Sequence, residues 1–169
     1  IGLITFSGKS SVHSTPTLDH AALTSMITNL DVHLLKQTGS DFSKPLQDLI
    51  HIAEFKSDNY AAILISDGEP LPEEQEYLEE ILALKAAHVA IFTIGLGSDS
   101  GSPLNLYSPE DVYNRVQNPR TIKTIQTKRV SRTLKEIASE TGARYFELED
   151  GVWVPDVIKA LDKIENREI

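Results

Sequence analysis

Apolar runs that end at glycines or polar turns alternate along this chain with amphipathic segments. The strand-like runs cover residues 1–7, 60–66, 89–95 and 143–148, with a short edge strand at 10–14. Apolar residues recur at helical spacing in residues 18–30, 42–53, 131–141 and 155–165, and an acidic helix follows Pro72. Strands and helices in this alternation predict an α/β fold, with an open, mostly parallel, Rossmann-like sheet and helices on both faces.

Residues 98–130 interrupt this alternation, because they are too long for a plain connection in a compact domain. Asn118-Pro119 is a typical turn, and Val112–Val116 and Thr121–Thr127 on either side of it resemble strands. We therefore expect one domain over residues 1–169, with a β-hairpin inserted at 98–130.

Composition excludes several classes of protein. A net charge of −9 and a pI near 5.0 argue against nucleic-acid binding. Because the chain has no cysteine, it cannot form disulfides or thiolate metal sites. No apolar stretch approaches the roughly 20 residues that span a bilayer. The first residue, Ile1, already lies in a strand-like run, so we expect the chain to be a piece of a longer protein.

Two polar turns carry the candidate chemistry. Asp67 directly follows the apolar run at 60–66, and Gly68 lets the chain turn sharply away. Ser40 lies in the earlier turn at 38–41. Parallel strands deliver such residues to the carboxyl edge of a sheet, and hydroxyl and carboxylate oxygens suit a divalent cation. Ser40 or Asp41 could equally cap a helix, and Asp67-Gly68 could be only a turn.

Other catalytic and nucleotide-binding motifs are incomplete. Gly8-Lys9-Ser10 imitates the end of a phosphate-binding P-loop, but the first glycine of that motif would fall on Leu3. The chain has no Gly-x-Ser-x-Gly sequence for a serine hydrolase and no pair of histidines spaced as in a zinc protease.

Several blocks of sequence together resemble a known family. They are Ile1-Gly-Leu-Ile-Thr-Phe-Ser-Gly8, Thr17-Leu-Asp-His-Ala-Ala-Leu23, Gly39-Ser-Asp41, Leu64-Ile-Ser-Asp-Gly-Glu69, Phe92-Thr-Ile-Gly-Leu-Gly97 and residues 134–146. In this order and spacing they are similar to von Willebrand factor type A domains, and most of all to those of the bacterial Bat (aerotolerance-operon) proteins.

The resemblance implies a metal-ion-dependent adhesion site. Such a site combines an Asp-x-Ser-x-Ser loop after the first strand with a threonine or serine and an aspartate from two later loops. Ser40 and Asp67 match the two later positions, and Gly39, Asp41, Ser66, Gly68 and Glu69 surround them. The Asp-x-Ser-x-Ser loop and its strand are absent, so we expect Mg²⁺, or Mn²⁺ or Ca²⁺, to bind only when that loop is present. The missing strand is central in the family, and its loss would expose the edges of strands 1–7 and 60–66.

The function implied by the resemblance is a non-enzymatic, metal-dependent protein-interaction module. A partner protein would offer a carboxylate to the metal, and no nucleic acid is involved. The parent protein would be membrane-associated, with this domain in an extracytoplasmic, periplasmic location. The alternative is a metal-assisted phosphohydrolase that uses Asp67, although the visible edge loops add only Ser66, Asp41 and Glu69 to it.

A basic segment is the last candidate site. Residues 112–135 carry seven lysines and arginines and no acid in a chain of net charge −9. We expect Arg115, Lys123 and Arg129 either to face the acidic helix or to present a basic surface to an acidic partner or to anionic lipid head groups.

Overall fold

The computed structural model describes residues 1–31, 40–54, 60–69, 77–114, 116–148 and 153–165. Its strands are β1 (Leu3–Phe6), β2 (Ser10–Ser14), β3 (Ala61–Ser66), β4 (Ala90–Gly95), β5 (Ser102–Tyr107), β6 (Thr121–Thr127) and β7 (Tyr145–Glu147). Its helices are α1 (His20–Thr28), α2 (Ser43–Glu54), α3 (Leu78–Ala86), α4 (Pro109–Tyr113), α5 (Ser131–Glu140) and α6 (Trp153–Glu165). The acidic stretch before α3 lies largely outside the described residues.

Strands β3, β4 and β7 form a parallel sheet in that order. β3 pairs with β4 along its whole length, from Ala61 opposite Ala90 to Ser66 opposite Gly95. β3 and β4 are continuous apolar runs of the sequence, as expected for strands of a parallel sheet. The predicted α/β fold with a mostly parallel sheet is confirmed.

Helices cover both faces of β4, because its side chains alternate between two apolar clusters. Ile91 lies with α3 and α5 in the larger cluster, where Leu84, Leu134 and Ile137 have no exposed surface. On the opposite face, Phe92 and Ile94 pack against β7 and against Val157 of α6. Thr93 faces α5, and its hydroxyl donates to the Leu134 carbonyl at 2.8 Å, so this buried polar group is satisfied.

The remaining edge of β3 is open among the described residues. β1 and β2 form a separate antiparallel hairpin, which docks on the domain through Phe6, 5.7 Å from the Phe42 ring. Ile63 and Ile65 are 45% and 50% exposed, whereas Phe92 and Ile94, their partners on β4, are buried. β3 therefore has the sequence of an interior strand and the environment of an edge strand.

The inserted segment contains an antiparallel hairpin, but one of its strands differs from our prediction. β6 lies where expected and pairs with β5, with Leu106 opposite Lys123. The first strand had been predicted at 112–116, and this was wrong, because Val112 and Tyr113 belong to the short helix α4. Pro109 at the start of that helix and two acidic residues in its first turn favour a helical turn there.

No helix in the described parts of the chain combines the length and the apolar character needed to cross a bilayer.

Candidate metal-binding edge of the sheet

Asp67 lies where β3 leaves the sheet, at its carboxyl edge. Its Oδ1 accepts a hydrogen bond from the Glu69 backbone N–H at 3.1 Å, so the side chain closes a tight turn. Ser66 is buried, and its hydroxyl accepts from the Gly68 N–H at 3.0 Å. No described residue donates a hydrogen bond to Oδ2 of Asp67. The turn therefore holds the carboxylate through Oδ1.

Ser40 and Asp41 lie at the end of β1. The Asp41 N–H donates to the Ser7 carbonyl at 2.9 Å, which ties the start of α2 to this strand. The Asp41 carboxylate is buried and accepts from the backbone N–H and the hydroxyl of Ser43, at 2.9 and 2.6 Å. Asp41 thus caps the start of α2, which was the alternative to a role in metal binding. Ser40 is half-buried beside it.

Ser40 and Asp67 offer the type of ligand atom that a magnesium-type cation prefers, but they offer too few of them. A serine hydroxyl and an aspartate carboxylate are hard oxygen ligands, whereas such a cation takes about six. Within the described residues, no group of three or more histidine, aspartate or glutamate side chains is close enough to hold a metal. Ser40 and Asp67 therefore form at most part of a coordination shell. Gly39, the remaining predicted neighbour, lies outside the described residues.

The segment between β6 and α5 lies against the same edge and holds the Asp67 turn in place. The Val130 N–H donates to the Asp67 carbonyl at 2.8 Å. Gly68 has a φ of +77°, and a Cβ there would overlap the Val130 carbonyl oxygen. Only glycine allows this backbone conformation and this close approach together.

Arg129 anchors this segment from inside the domain. Its side chain is only 3% exposed; Nε lies 3.1 Å from Asp99 Oδ1, and Nη2 lies 3.3 Å from Glu147 Oε2. Gly95 makes room for it, because a Cβ at that position would come within 2.9 Å of the Arg129 Cδ. The hydrogen bond that Arg129 donates to the Asp99 carboxylate raises the pKa of the guanidinium further above its already high value.

Arg129 therefore does not belong to an exposed basic surface, which corrects the prediction from sequence. The Arg129 side chain is buried, and its charge is paired with the Asp99 and Glu147 carboxylates near the edge of the sheet. Arg120 is likewise engaged, with Asp111 at 3.0 Å. Lys123 is exposed on β6, and Arg115 lies outside the described residues.

Tyr145 completes the polar cluster around Arg129. Its hydroxyl lies 3.4 Å from Glu147 Oε1, and the Lys135 ammonium lies 5.0 Å from the centre of its ring. Burial raises the pKa of the Tyr145 phenol, although the nearby Arg129 charge opposes that change. Sequence reasoning missed this cluster, since its members are spread from Asp99 to Glu147 and no local motif marks them.

Comparison with known proteins identifies the family of this architecture. The sequence profile of the von Willebrand factor type A domain matches residues 1–160. Comparison with curated proteins gave no significant match.

Two solved structures share the fold. One is a conserved hypothetical protein BatB from Bacteroides thetaiotaomicron, with a TM-score of 0.76 and 18% identity. The other is an aerotolerance-related membrane protein from Bacteroides fragilis, with a TM-score of 0.69 and 18% identity. In both comparisons the match covers 98% of this chain and 78% of the other.

Proposed function

The chain belongs to the von Willebrand factor type A domain family, and we propose that it is a non-enzymatic, metal-dependent protein-interaction module of a membrane-associated protein. The observation that carries this proposal is the Asp67 turn. Its carboxylate is held by one oxygen at the carboxyl edge of the sheet, while the other oxygen accepts no hydrogen bond from any described residue.

Ser40 and Asp67 would hold Mg²⁺, or Mn²⁺ or Ca²⁺, together with an Asp-x-Ser-x-Ser loop that the 169 residues do not contain. When bound, the cation supplies a Lewis-acidic centre whose shell a carboxylate from the partner protein completes. Within the chain, the Glu69 N–H orients the Asp67 carboxylate, and the Val130 N–H orients its backbone. Both contacts preorganise the edge, which reduces the ordering cost of binding.

Membrane association is proposed from the similar structures. One of them is described as an aerotolerance-related membrane protein. We propose a comparable setting for the protein that carries this domain, with the domain outside the cytoplasm and facing a protein partner.

Calorimetric titration with MgCl₂ and MnCl₂ tests the metal site. It is performed on a chain extended at its amino end to include an Asp-x-Ser-x-Ser loop. Asp67→Asn keeps an acceptor for the Glu69 N–H and removes the charge, so it should abolish metal binding. Ser40→Ala should weaken binding less, because a neutral hydroxyl contributes less than a carboxylate does.

The matched control is Glu79→Gln, which removes an exposed charge on α3 and should leave the affinity unchanged. Unchanged affinity in Asp67→Asn would eliminate the metal site. Metal-dependent hydrolysis of p-nitrophenyl phosphate that is lost in Asp67→Asn would instead favour the phosphohydrolase.

A further inference from the structure

The far end of the β5–β6 hairpin presents an ordered crown of apolar side chains to solvent. This crown consists of Tyr107, Val112, Tyr113, Val116 and Ile122, which are 43%, 50%, 87%, 45% and 64% exposed. They come from the end of β5, from α4, from the following turn and from the start of β6. Exposed apolar surface of this kind marks an interaction site.

The crown is held in shape by polar groups that satisfy one another. The Asp111 carboxylate accepts from the backbone N–H of Arg120 at 2.8 Å and from its Nε at 3.0 Å. The Val116 N–H donates to the Asp111 carbonyl, and the Ser108 N–H donates to the Arg120 carbonyl, both at 2.9 Å. Because these groups are paired internally, burying the crown would not leave them unsatisfied.

The hairpin is also amphipathic behind the crown. Leu104 and Leu106 pair with Ile125 and Lys123 and share one face of the hairpin with them; the two leucines are 48% and 39% exposed. The other face is polar, and the Thr124 hydroxyl there donates to Asn105 at 2.8 Å. All six residues of β5 are exposed, so the domain does not cover the apolar face. A two-stranded hairpin in this state gains stability when a further surface covers it.

The charge on the hairpin differs from that of the rest of the protein. Residues 102–127 contain three basic and two acidic side chains, a net charge of +1 in a chain of −9. Lys123 and Lys128 are exposed, and neither forms an ion pair with a carboxylate in the described part of the chain. Glu110 is an exposed carboxylate near the crown, so we expect apolar burial to contribute more than charge does.

We propose that the crown inserts shallowly into the interface of a lipid bilayer, with Lys123 at the level of anionic head groups. The crown lies at the tip of a hairpin whose β5 residues are all exposed, so a fluid surface could close around it without a matching pocket. The two tyrosines combine an apolar ring with a hydroxyl that remains at the polar boundary. This proposal adds to the membrane association of the parent protein and is independent of the metal site.

Site-specific fluorescence tests the proposal, because a chain without cysteine can carry one label at a chosen position. Asn114→Cys, labelled with a nitrobenzoxadiazole dye, keeps all five crown side chains. Gln126→Cys on the polar face is the matched control. With vesicles of phosphatidylcholine and phosphatidylglycerol, in EDTA so that no metal contributes, the label at 114 should brighten and shift to the blue. The label at 126 should not change.

Two substitutions separate the apolar and charged contributions to vesicle affinity. Ile122→Asp should weaken vesicle binding by about tenfold or more. Lys123→Glu should weaken binding by about fivefold or more on the anionic vesicles, and much less on phosphatidylcholine alone. Gln126→Asp should leave both affinities unchanged.

Three results would overturn the proposal. One is an unchanged signal at position 114 with both vesicle types. Another is an equal signal at 114 and 126, which indicates non-specific adsorption. The third is a blue shift at 114 that depends on protein concentration without lipid, since the crown would then contact a second copy of the chain. Failure of any kind here leaves the metal titration of Asp67 unaffected.

Discussion

Replacing Gly68 with alanine should destabilise the protein more than any comparable glycine substitution at the edge of the sheet. Gly68 has a φ of +77°, a backbone conformation that costs a residue with a Cβ about 1–2 kcal/mol. The added Cβ would also overlap the Val130 carbonyl oxygen and lie 3.1 Å from its carbon. Because both neighbours are backbone atoms, no side chain can rotate to relieve the clash.

The size of the expected destabilisation follows from the backbone that the new Cβ would displace. The Val130 peptide has to shift away from the Asp67 turn, which weakens the 2.8 Å hydrogen bond from the Val130 N–H to the Asp67 carbonyl. A hydrogen bond of this kind contributes about 0.5–1.5 kcal/mol net. Together with the conformational cost, Gly68→Ala should lower the free energy of unfolding by about 1.5–3.5 kcal/mol, which is a large share of a typical domain's stability.

Gly97→Ala is the matched control, because Gly97 has a φ of +78° but nothing lies within 4 Å of the position of its Cβ. This variant should lose only the conformational cost, about 1–2 kcal/mol. Urea unfolding followed by circular dichroism measures both variants against the parent chain. If Gly68→Ala costs no more than Gly97→Ala, residues 129 and 130 are not held against the Asp67 turn, and the account of this edge fails.

Two further predictions concern the open strand and the buried phenols. Ile65→Lys places a charge on the exposed edge strand β3, so it should reduce concentration-dependent association in sedimentation velocity. Leu82→Lys, at an exposed leucine on α3, should not reduce that association. Equal effects of the two substitutions would contradict the role of the edge. Burial raises the pKa of the Tyr77 and Tyr145 phenols above 10.0, so below that pH both are neutral whether the chain is folded or unfolded. Above pH 10.0 the two tyrosines ionise first in the unfolded chain, so the free energy of unfolding should fall as pH rises. Tyr77→Phe combined with Tyr145→Phe should flatten this fall. An unchanged slope would refute the claim that burial raises the pKa of these two phenols.

The parallel sheet could be predicted because its signal is local. Each of β3 and β4 is a short, unbroken apolar run that stops at a polar residue or a glycine, and that length, with a turn signal at its end, favours a strand of a parallel sheet. The N-cap of α1 is local in the same way, because the Asp19 side chain accepts a hydrogen bond from the Ala22 N–H, three residues later, at 2.9 Å. In these cases the residues that determine the structure are adjacent in sequence.

The inserted segment was harder to predict for a physical reason. Val112–Val116 contains β-branched residues, but Pro109 and the acidic residues after it favour a helical turn. The strand at Ser102–Tyr107 contains Pro103 and Asn105, which both weaken a strand signal. Pairing with β6, which begins fourteen residues after β5 ends, outweighs those local preferences, and no local pattern reveals that pairing.

Arg129 shows why a basic run in the sequence is a poor guide to a basic surface. Its neighbour Lys128 is exposed, whereas Arg129 is buried between Asp99 and Glu147, so consecutive residues have opposite roles. The carboxylates that receive it lie thirty residues before it and eighteen after it. Sequence could locate Asp67 at a strand end, but it could not show that a segment sixty residues later supports that turn.

The same distant contacts explain how the domain accommodates so long an insertion. Closing a long flexible loop costs entropy that rises slowly with its length, so the contacts at its base can offset that cost. Here the Arg129 N–H donates to the Ser98 carbonyl at 3.0 Å, and the Arg129 side chain reaches Asp99, also at the base. The Val130 N–H then donates to the Asp67 carbonyl, so Arg129 and Val130 together close the hairpin, join it to the sheet and support the turn that carries the candidate metal ligand. A substitution that loosens Arg129 should therefore disturb the hairpin and the Asp67 turn together, because the chain provides one anchor for both.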